Sequence, residues 1–264
     1  MEDKKKIAMV TGASSGIGEE LARKCAAGGL DLVLVARSTS KLTELGAALQ
    51  KEHGTTVHVI TADLAVAEGP KQVADELERG GLAVSVLINN AGYAAYGPFA
   101  ETDLHDELRM VQLNVTSLMH LTKLMLPGML SRKDGKIMNV ASTAAFQPGP
   151  LMAVYYATKA FVLSFSEALF NELEGTGVTV TALCPGPTKS GFQARAKMED
   201  SKLVRGKEIM DSATVAKVGY EAMMAGKAVV VPGAMNKIMA ASVRFLPRGM
   251  VRNLVRSAQE REHS

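Results

Sequence analysis

Tyr155 and Lys159 stand four residues apart at the start of a predicted helix, so their side chains share one face. A phenol beside an ammonium can trade a proton with an oxygen on which negative charge develops, as when hydride reaches a ketone carbon. Free tyrosine has a pKa of about 10, and bringing it near 7 takes about 4 kcal/mol at 1.36 kcal/mol per unit. A neighbouring positive charge favours the phenolate and contributes to that shift. Ser142 lies thirteen residues earlier, at the carboxyl end of a predicted strand over 136–141. That is the sheet edge where open α/β folds bind ligands, and its hydroxyl can bond a substrate oxygen. Tyr156 points about 100° away around the helix and does not substitute for its neighbour.

These groups need a partner that moves electrons, and the amino terminus supplies a place for one. Ile7–Val10 is a short apolar strand, Ile17–Ala27 has helical spacing, and Thr11-Gly12-Ala13-Ser14-Ser15-Gly16-Ile17-Gly18 joins them. Unpaired N–H groups and the dipole at such a helix start suit a phosphate, and glycine lets a pyrophosphate approach the backbone. The spacing G-x-x-x-G-x-G differs by one residue from the dinucleotide fingerprint. The next buried strand, 31–36, ends in Ala36, where an acidic residue would accept from both ribose hydroxyls. Arg37 and Ser38 follow it, and a guanidinium holds a 2'-phosphate, so the charge favours NADP(H) over NAD(H).

Further along, helix signals over 40–51 lead to a strand at 56–61 and then Asp63-Leu64; a helix over 70–79 leads to a strand at 84–88 and Asn89-Asn90-Ala91-Gly92. An apolar stripe from Asp103 to Leu130 predicts one long helix containing Asn114. A helix from Tyr155 to about 174, a strand over 178–183 leaving through Cys184-Pro185-Gly186-Pro187-Thr188, a helix over 213–224 and a strand over 228–231 complete the alternation. Such alternation predicts one α/β domain: a doubly wound Rossmann sheet of about seven parallel strands with helices on both faces.

Taken together, the glycine turn with Thr11, the strand-end serine and the tyrosine–lysine pair resemble the short-chain dehydrogenase/reductase family, from about Ile7 to Val231. The resemblance implies that Gly12, Ser14, Ser15, Gly16, Ile17 and Gly18 cradle the dinucleotide and that Asp63 and Leu64 lie against its adenine. It places Asn90, Ala91 and Gly92 beside the nicotinamide ribose, Pro185 and Gly186 on one nicotinamide face, and Thr188 on the carboxamide. It makes Tyr155 the acid/base, assisted by the charge of an oxidised nicotinamide. Lys159 tunes Tyr155 and bonds the ribose, Ser142 holds the substrate oxygen, and Asn114 holds a relay water. Residues 190–210, with Phe192 and Met198, take the place of a substrate lid, and the helix over 103–130 with the next long one takes the place of a dimer or tetramer interface. Ala36 in place of an acid is the one departure that bears on chemistry, and it shifts cofactor choice.

Composition narrows the alternatives. The chain has 264 residues, 47% of them hydrophobic, with no linker-like stretch, which supports one sizeable core. A net charge of +3, no tryptophan and 5% aromatics argue against nucleic-acid binding, and Lys4-Lys5-Lys6 reads as a solubilising terminus. Cys25 and Cys184 read as reduced core residues, the five histidines show no ligand spacing, and no metal is expected. No signal-peptide h-region or run of about 18 apolar residues occurs, so a soluble cytoplasmic protein is expected. The tail, 234–264, alternates apolar residues with Arg244, Arg248, Arg252 and Arg256. Pro247 and Gly249 interrupt it, so it reads as a cover for the substrate pocket or a neighbouring subunit rather than a membrane-surface helix.

The expected function is NADP(H)-dependent interconversion of a secondary alcohol and a ketone, with hydroxysteroids including bile acids first. 3-Oxoacyl thioesters and other small carbonyl compounds are the alternatives. A non-catalytic NADP(H)-binding redox sensor is the alternative from another class, set back by the presence of both Tyr155 and Lys159.

Overall fold

The computed structural model describes residues 5–191 and 209–260. Its first strand, β1 (Ile7–Thr11), lies at the centre because Ala8, Met9 and Val10 are apolar on both faces and wholly buried. Strands β2 (Asp31–Ala36) and β3 (Val57–Thr61) extend the sheet on one side of it; β4 (Val84–Asn89), β5 (Gly135–Val140), β6 (Val178–Leu183) and a short strand at Val229–Val230 extend it on the other. All seven run parallel in the order β3-β2-β1-β4-β5-β6 and then Val229–Val230. The chain therefore reverses its winding direction at β1, and a crevice opens beyond the carboxyl ends of β1 and β4.

Alternate strand residues feed two cores. Val10, Leu34, Ile88 and Leu183 meet α1 (Gly16–Ala27), α2 (Thr39–His53) and the helix Ser212–Met224 through Leu21, Leu42 and Val215. Met9, Val33, Leu87 and Ile137 meet α3 (Gly69–Arg79) and α5 (Leu118–Arg132) through Val73, Leu121 and Met129.

The helix expected over 103–130 is not continuous. α4 (Leu104–Val111) passes into a π-helical segment, Gln112–Ser117, before α5 begins. Side-chain bonds out of the helix accompany the widened turn: Ser117 Oγ donates to Leu64 O at 2.6 Å, and the Asn114 amide reaches a neighbouring loop. Such segments recur at functional sites, and here Asn114 lies within one.

Beyond β6, a two-residue strand Thr188–Lys189 pairs in parallel with Met210–Asp211, which ties together the two ends of the segment between them. Of the lid expected over 190–210, residues 192–208, including Phe192 and Met198, lie outside the described residues. The tail forms two helices, Ala234–Ser242 and Arg248–Gln259, so it is interrupted as expected ahead of Arg248, where Pro247 takes the N-cap position, while Gly249 lies inside the second helix.

Candidate active site

One cavity of about 500 Å³ runs across the crevice, lined from Gly12 and Arg37 at one end to Ser142, Tyr155 and Lys159 at the other. Its floor is made by locking the first turn to the fourth strand. Thr11 Oγ1 accepts from Asn90 N and Ala91 N, both at 3.0 Å, and donates to Ile88 O at 3.3 Å; Asn90 Nδ2 donates to Thr11 O at 2.9 Å. Gly12 (φ 66°) and Gly16 (φ 59°) adopt left-handed backbone that a side chain would strain. At Gly12 a Cβ would also lie 2.9 Å from Ala91 Cα, so the glycines serve this backbone contact as well as an open cradle. Changing Thr11 to Val strands two partly buried N–H groups, so a loss of about 2–3 kcal/mol is expected. With a urea m-value of about 1–3 kcal/mol/M, equilibrium unfolding should show the midpoint about 1 M lower.

At the adenosine end, Ala36 leaves room and Arg37, Ser38 and Lys41 line the cavity. Arg37 and Lys41 are exposed, and among the described residues neither is in an ion pair. Lys41 was missed from the sequence, although a second cation one turn after Arg37 was a readable signal. Asp63 also reaches the cavity, but its carboxylate is already engaged: Oδ2 accepts from Arg109 at 2.8 Å and Oδ1 from Ala65 N at 2.9 Å. Burial pushes its pKa up, and those two bonds with the Arg109 charge outweigh burial and hold it below the ordinary carboxylate range. Nothing in the sequence pointed to Arg109.

At the other end, β5 delivers Ser142 and α6 (Ala153–Glu172) delivers Tyr155 and Lys159 to the same wall. Ser142 Oγ accepts from Ala144 N at 3.1 Å and donates to Pro185 O at 3.3 Å, and it is hydrogen-bonded to the Tyr155 phenol. Lys159 Nζ donates to Val140 O at 2.7 Å and lies 5.8 Å from the Tyr155 ring centroid. Asn114 Nδ2 donates to Tyr93 O at 3.0 Å and Thr158 Oγ1 at 3.1 Å, while its Oδ1 accepts from Tyr93 N at 3.2 Å. Its side chain therefore ties the loop after β4 to α6. Ala91 and Gly92 border this end, as do Pro185, Gly186 and Thr188, whose Oγ1 donates to Gly186 O at 2.9 Å.

The electrostatics correct one expectation. Burial pushes the Tyr155 phenol above its ordinary pKa despite the Ser142 bond, and Lys159 does not reverse this. Burial also lowers Lys159 to about 8. In the cofactor-free protein Tyr155 is thus held as the neutral acid, because a phenolate would be charged in a closed, poorly solvated space.

Lys159 then has a sign-definite effect on stability. Its folded pKa lies below its unfolded one, so between pH 10.5 and about 8 the unfolded chain binds a proton that the native state does not. Stability from this group falls as pH drops through that window and is flat below it. Wild type should therefore lose about 2 kcal/mol relative to Lys159→Met between pH 10 and 8, read from paired urea titrations. Equal slopes would refute the assignment.

The remaining wall is apolar and partly from the tail. Leu113, Ala144, Met152 and Tyr156 line it with Gln259, whose Nε2 donates to Tyr156 Oη at 2.5 Å; Tyr96 Oη donates to Gln259 O at 2.6 Å. Val251 and Val255 pack beside Tyr155 and Tyr156 in the same cluster. Gln259 lies 104 residues after Tyr155, and no sequence signal joined them.

The cavity can therefore hold a dinucleotide along the glycine turn and present a carbonyl oxygen to two hydroxyls, Ser142 and Tyr155. Known proteins are similar to this chain in sequence and fold. A very-long-chain 3-oxoacyl-CoA reductase of Phaeosphaeria nodorum is 40% identical over 66% of this chain and 52% of its own length; that of Pyrenophora tritici-repentis is 36% identical over 80% and 63%. The chain thus spans about half to three-fifths of these curated relatives. An uncharacterized oxidoreductase of Staphylococcus epidermidis is 31% identical over 81% of this chain and 91% of its own. Among solved structures, a short-chain dehydrogenase from Sphingobium yanoikuyae in complex with NADPH superposes with a TM-score of 0.83 at 32% identity, over 93% of this chain and 94% of that one. A bulky-bulky ketone specific alcohol dehydrogenase from Comamonas testosteroni gives 0.78 at 30%, over 92% and 93%. The short chain dehydrogenase family model matches residues 6–201, and the chain belongs to that family of oxidoreductases.

Proposed function

We propose that this protein interconverts a ketone with bulky apolar substituents and the corresponding secondary alcohol, using NADP(H). The observation that carries the reading is the convergence of Ser142, Tyr155 and Lys159 on a cavity whose far end is lined by Arg37 and Lys41. The glycine cradle and the space at Ala36 fit a dinucleotide with a 2'-phosphate, and a bound nicotinamide supplies or accepts the hydride. Ser142 donates to the carbonyl oxygen and orients it, and Tyr155 gives its phenolic proton to that oxygen as negative charge builds up. In the reverse direction Tyr155 takes the hydroxyl proton. Lys159, which lines the cavity, would bond the ribose of a bound dinucleotide and, when protonated, favours the phenolate that turnover leaves behind.

Leu113, Ala144, Met152 and Tyr156 offer apolar surface to the substrate body, which favours hydroxysteroids, bile acids included. A second reading, reduction of 3-oxoacyl thioesters, is favoured by the names of the curated relatives. The apolar side chains Leu124, Leu130 and Phe161 are exposed on α5 and α6, and Phe161 stacks on Phe165, which supports a homodimer or homotetramer built on these helices.

The test is NADPH and NADH oxidation with steroid ketones, long- and short-chain 3-oxoacyl thioesters and small ketones. Turnover of steroid ketones with NADPH is expected, and preference for the thioesters would move the assignment to the second reading. Tight NADPH binding with no carbonyl turned over would replace the enzyme by a redox sensor.

A further inference from the structure

Among the described residues, five buried side chains keep an oxygen that meets no hydrogen-bond partner: Asn89, Glu107, Thr179, Thr181 and Gln259. Of these only Gln259 lines the cavity. It is 1% exposed; its Nε2 donates to Tyr156 Oη, and its Oε1 accepts from no described group. Tyr156 also lines the cavity, and in that bond its Oη serves as an acceptor, so its own O–H proton is unspent. With the amide turned the other way, Tyr156 donates to Oε1 and the amide N–H groups are left over. In either arrangement the pair keeps a donor and an acceptor.

Packing holds the pair in place. A Cβ on Gly149 would lie 2.1 Å from Tyr156 Cγ, so the tyrosine ring rests directly on that backbone. The Tyr155 and Tyr156 rings meet edge to face with centroids 6.1 Å apart. Tyr96 Oη bonds the Gln259 carbonyl, and Val251 and Val255 join the cluster around Tyr156, which seats the helix Arg248–Gln259 against the site. Leu113, Ala144 and Met152 make the surrounding wall apolar. A few fixed polar groups in an apolar wall set a ligand's orientation. A hydroxyl donates and accepts at one atom, so it answers both members of the pair. A plain alkyl chain would cover them and leave both unpaired, which is unfavourable.

We infer that Tyr156 and Gln259 form a second polar station for the substrate, which is an apolar ketone carrying a hydroxyl remote from the carbonyl that is reduced. The inference rests on the reading of the cavity as a ketone site. Gln259 Oε1 accepts from the substrate hydroxyl, and Tyr156 Oη donates to the hydroxyl oxygen. Rotation about the terminal amide torsion, whose wells are broad, turns Oε1 to the guest. Anchored at this end, the substrate presents one particular carbonyl to Ser142 and Tyr155.

The experiment compares a parent steroid ketone with analogues that add a single hydroxyl on each ring remote from the carbonyl. NADPH oxidation by the full chain is followed for wild type, Tyr156→Phe, Gln259→Leu and Tyr96→Phe. Wild type is expected to favour one hydroxylated ketone over the parent by about 10- to 100-fold in kcat/KM, at up to about tenfold for each of two neutral hydrogen bonds. Tyr156→Phe and Gln259→Leu should each cut that preference by up to about tenfold, through KM, because binding common to ground and transition states is lost. Tyr96→Phe removes a bond to the Gln259 backbone and leaves the pair intact, so it should keep the wild-type preference. No preference in wild type would overturn the inference. So would equal losses with hydroxylated and parent ketones in the two variants, since a merely structural pair serves both ketones alike, or a preference that Tyr96→Phe erases to the same extent. If wild type turns over none of these ketones, the proposed function fails, and calorimetric titration of the same ketones into the protein decides the station by itself. Tighter binding of a hydroxylated ketone, lost in Gln259→Leu, upholds it, and equal affinities overturn it.

Discussion

Changing Tyr155 to Phe is expected to lower kcat by about 10² to 10⁴, the range for removing a positioned general acid, while NADPH affinity stays within about twofold. The reason lies in what the phenol touches. It is hydrogen-bonded to Ser142, which itself is fixed between Ala144 N and Pro185 O, and burial keeps it protonated until charge arrives nearby. Phenylalanine keeps the ring in its cluster with Met152 and Val255 and removes only the proton. Stopped turnover with intact fluorescence titration of NADPH separates this role from a structural one. Turnover within tenfold of wild type would sink it. Tyr156→Phe is the internal control: its hydroxyl accepts from Gln259, so the variant should keep most of kcat.

The second large effect concerns the cofactor. Arg37→Ala with Lys41→Ala should lower kcat/KM for NADPH by about 10² and leave that for NADH within about threefold. A hydrogen bond to a charged group contributes about 1.5–3 kcal/mol, but both side chains are exposed, so the lower end applies to each. The same exposure makes the NADPH advantage of wild type shrink with salt, since screened charges attract a 2'-phosphate less. Equal losses with both cofactors would show that the two cations hold structure rather than a phosphate. Asp63 bears on the outcome, because it is a carboxylate on the same cavity. Its pairing with Arg109 offsets the repulsion it would otherwise offer a phosphate.

These predictions draw unequally on sequence and structure. Tyr155 and Lys159 could be paired from their spacing because a helix repeats every 3.6 residues, and Gly12 and Gly16 could be placed because a strand-to-helix turn of this length needs positive φ. Both are local rules, and the structure keeps them. The unbroken helix over 103–130 failed for the opposite reason. Its apolar stripe is real, but bonds from Asn114 and Ser117 to loops 21 and 53 residues away accompany a π turn that no local pattern announces.

The alternation of strands and helices along the chain, the glycine turn and the shared face of Tyr155 and Lys159 were thus determined by the chain's own periodicity and turn chemistry, which act over a few residues. Arg109 on Asp63, Gln259 on Tyr156 and the high-lying Tyr155 proton were decided by tertiary structure alone. Each depends on which surfaces meet and how much water they exclude. Packing brings together residues 46 or 103 positions apart, and burial sets a charge's cost only once the walls around it exist.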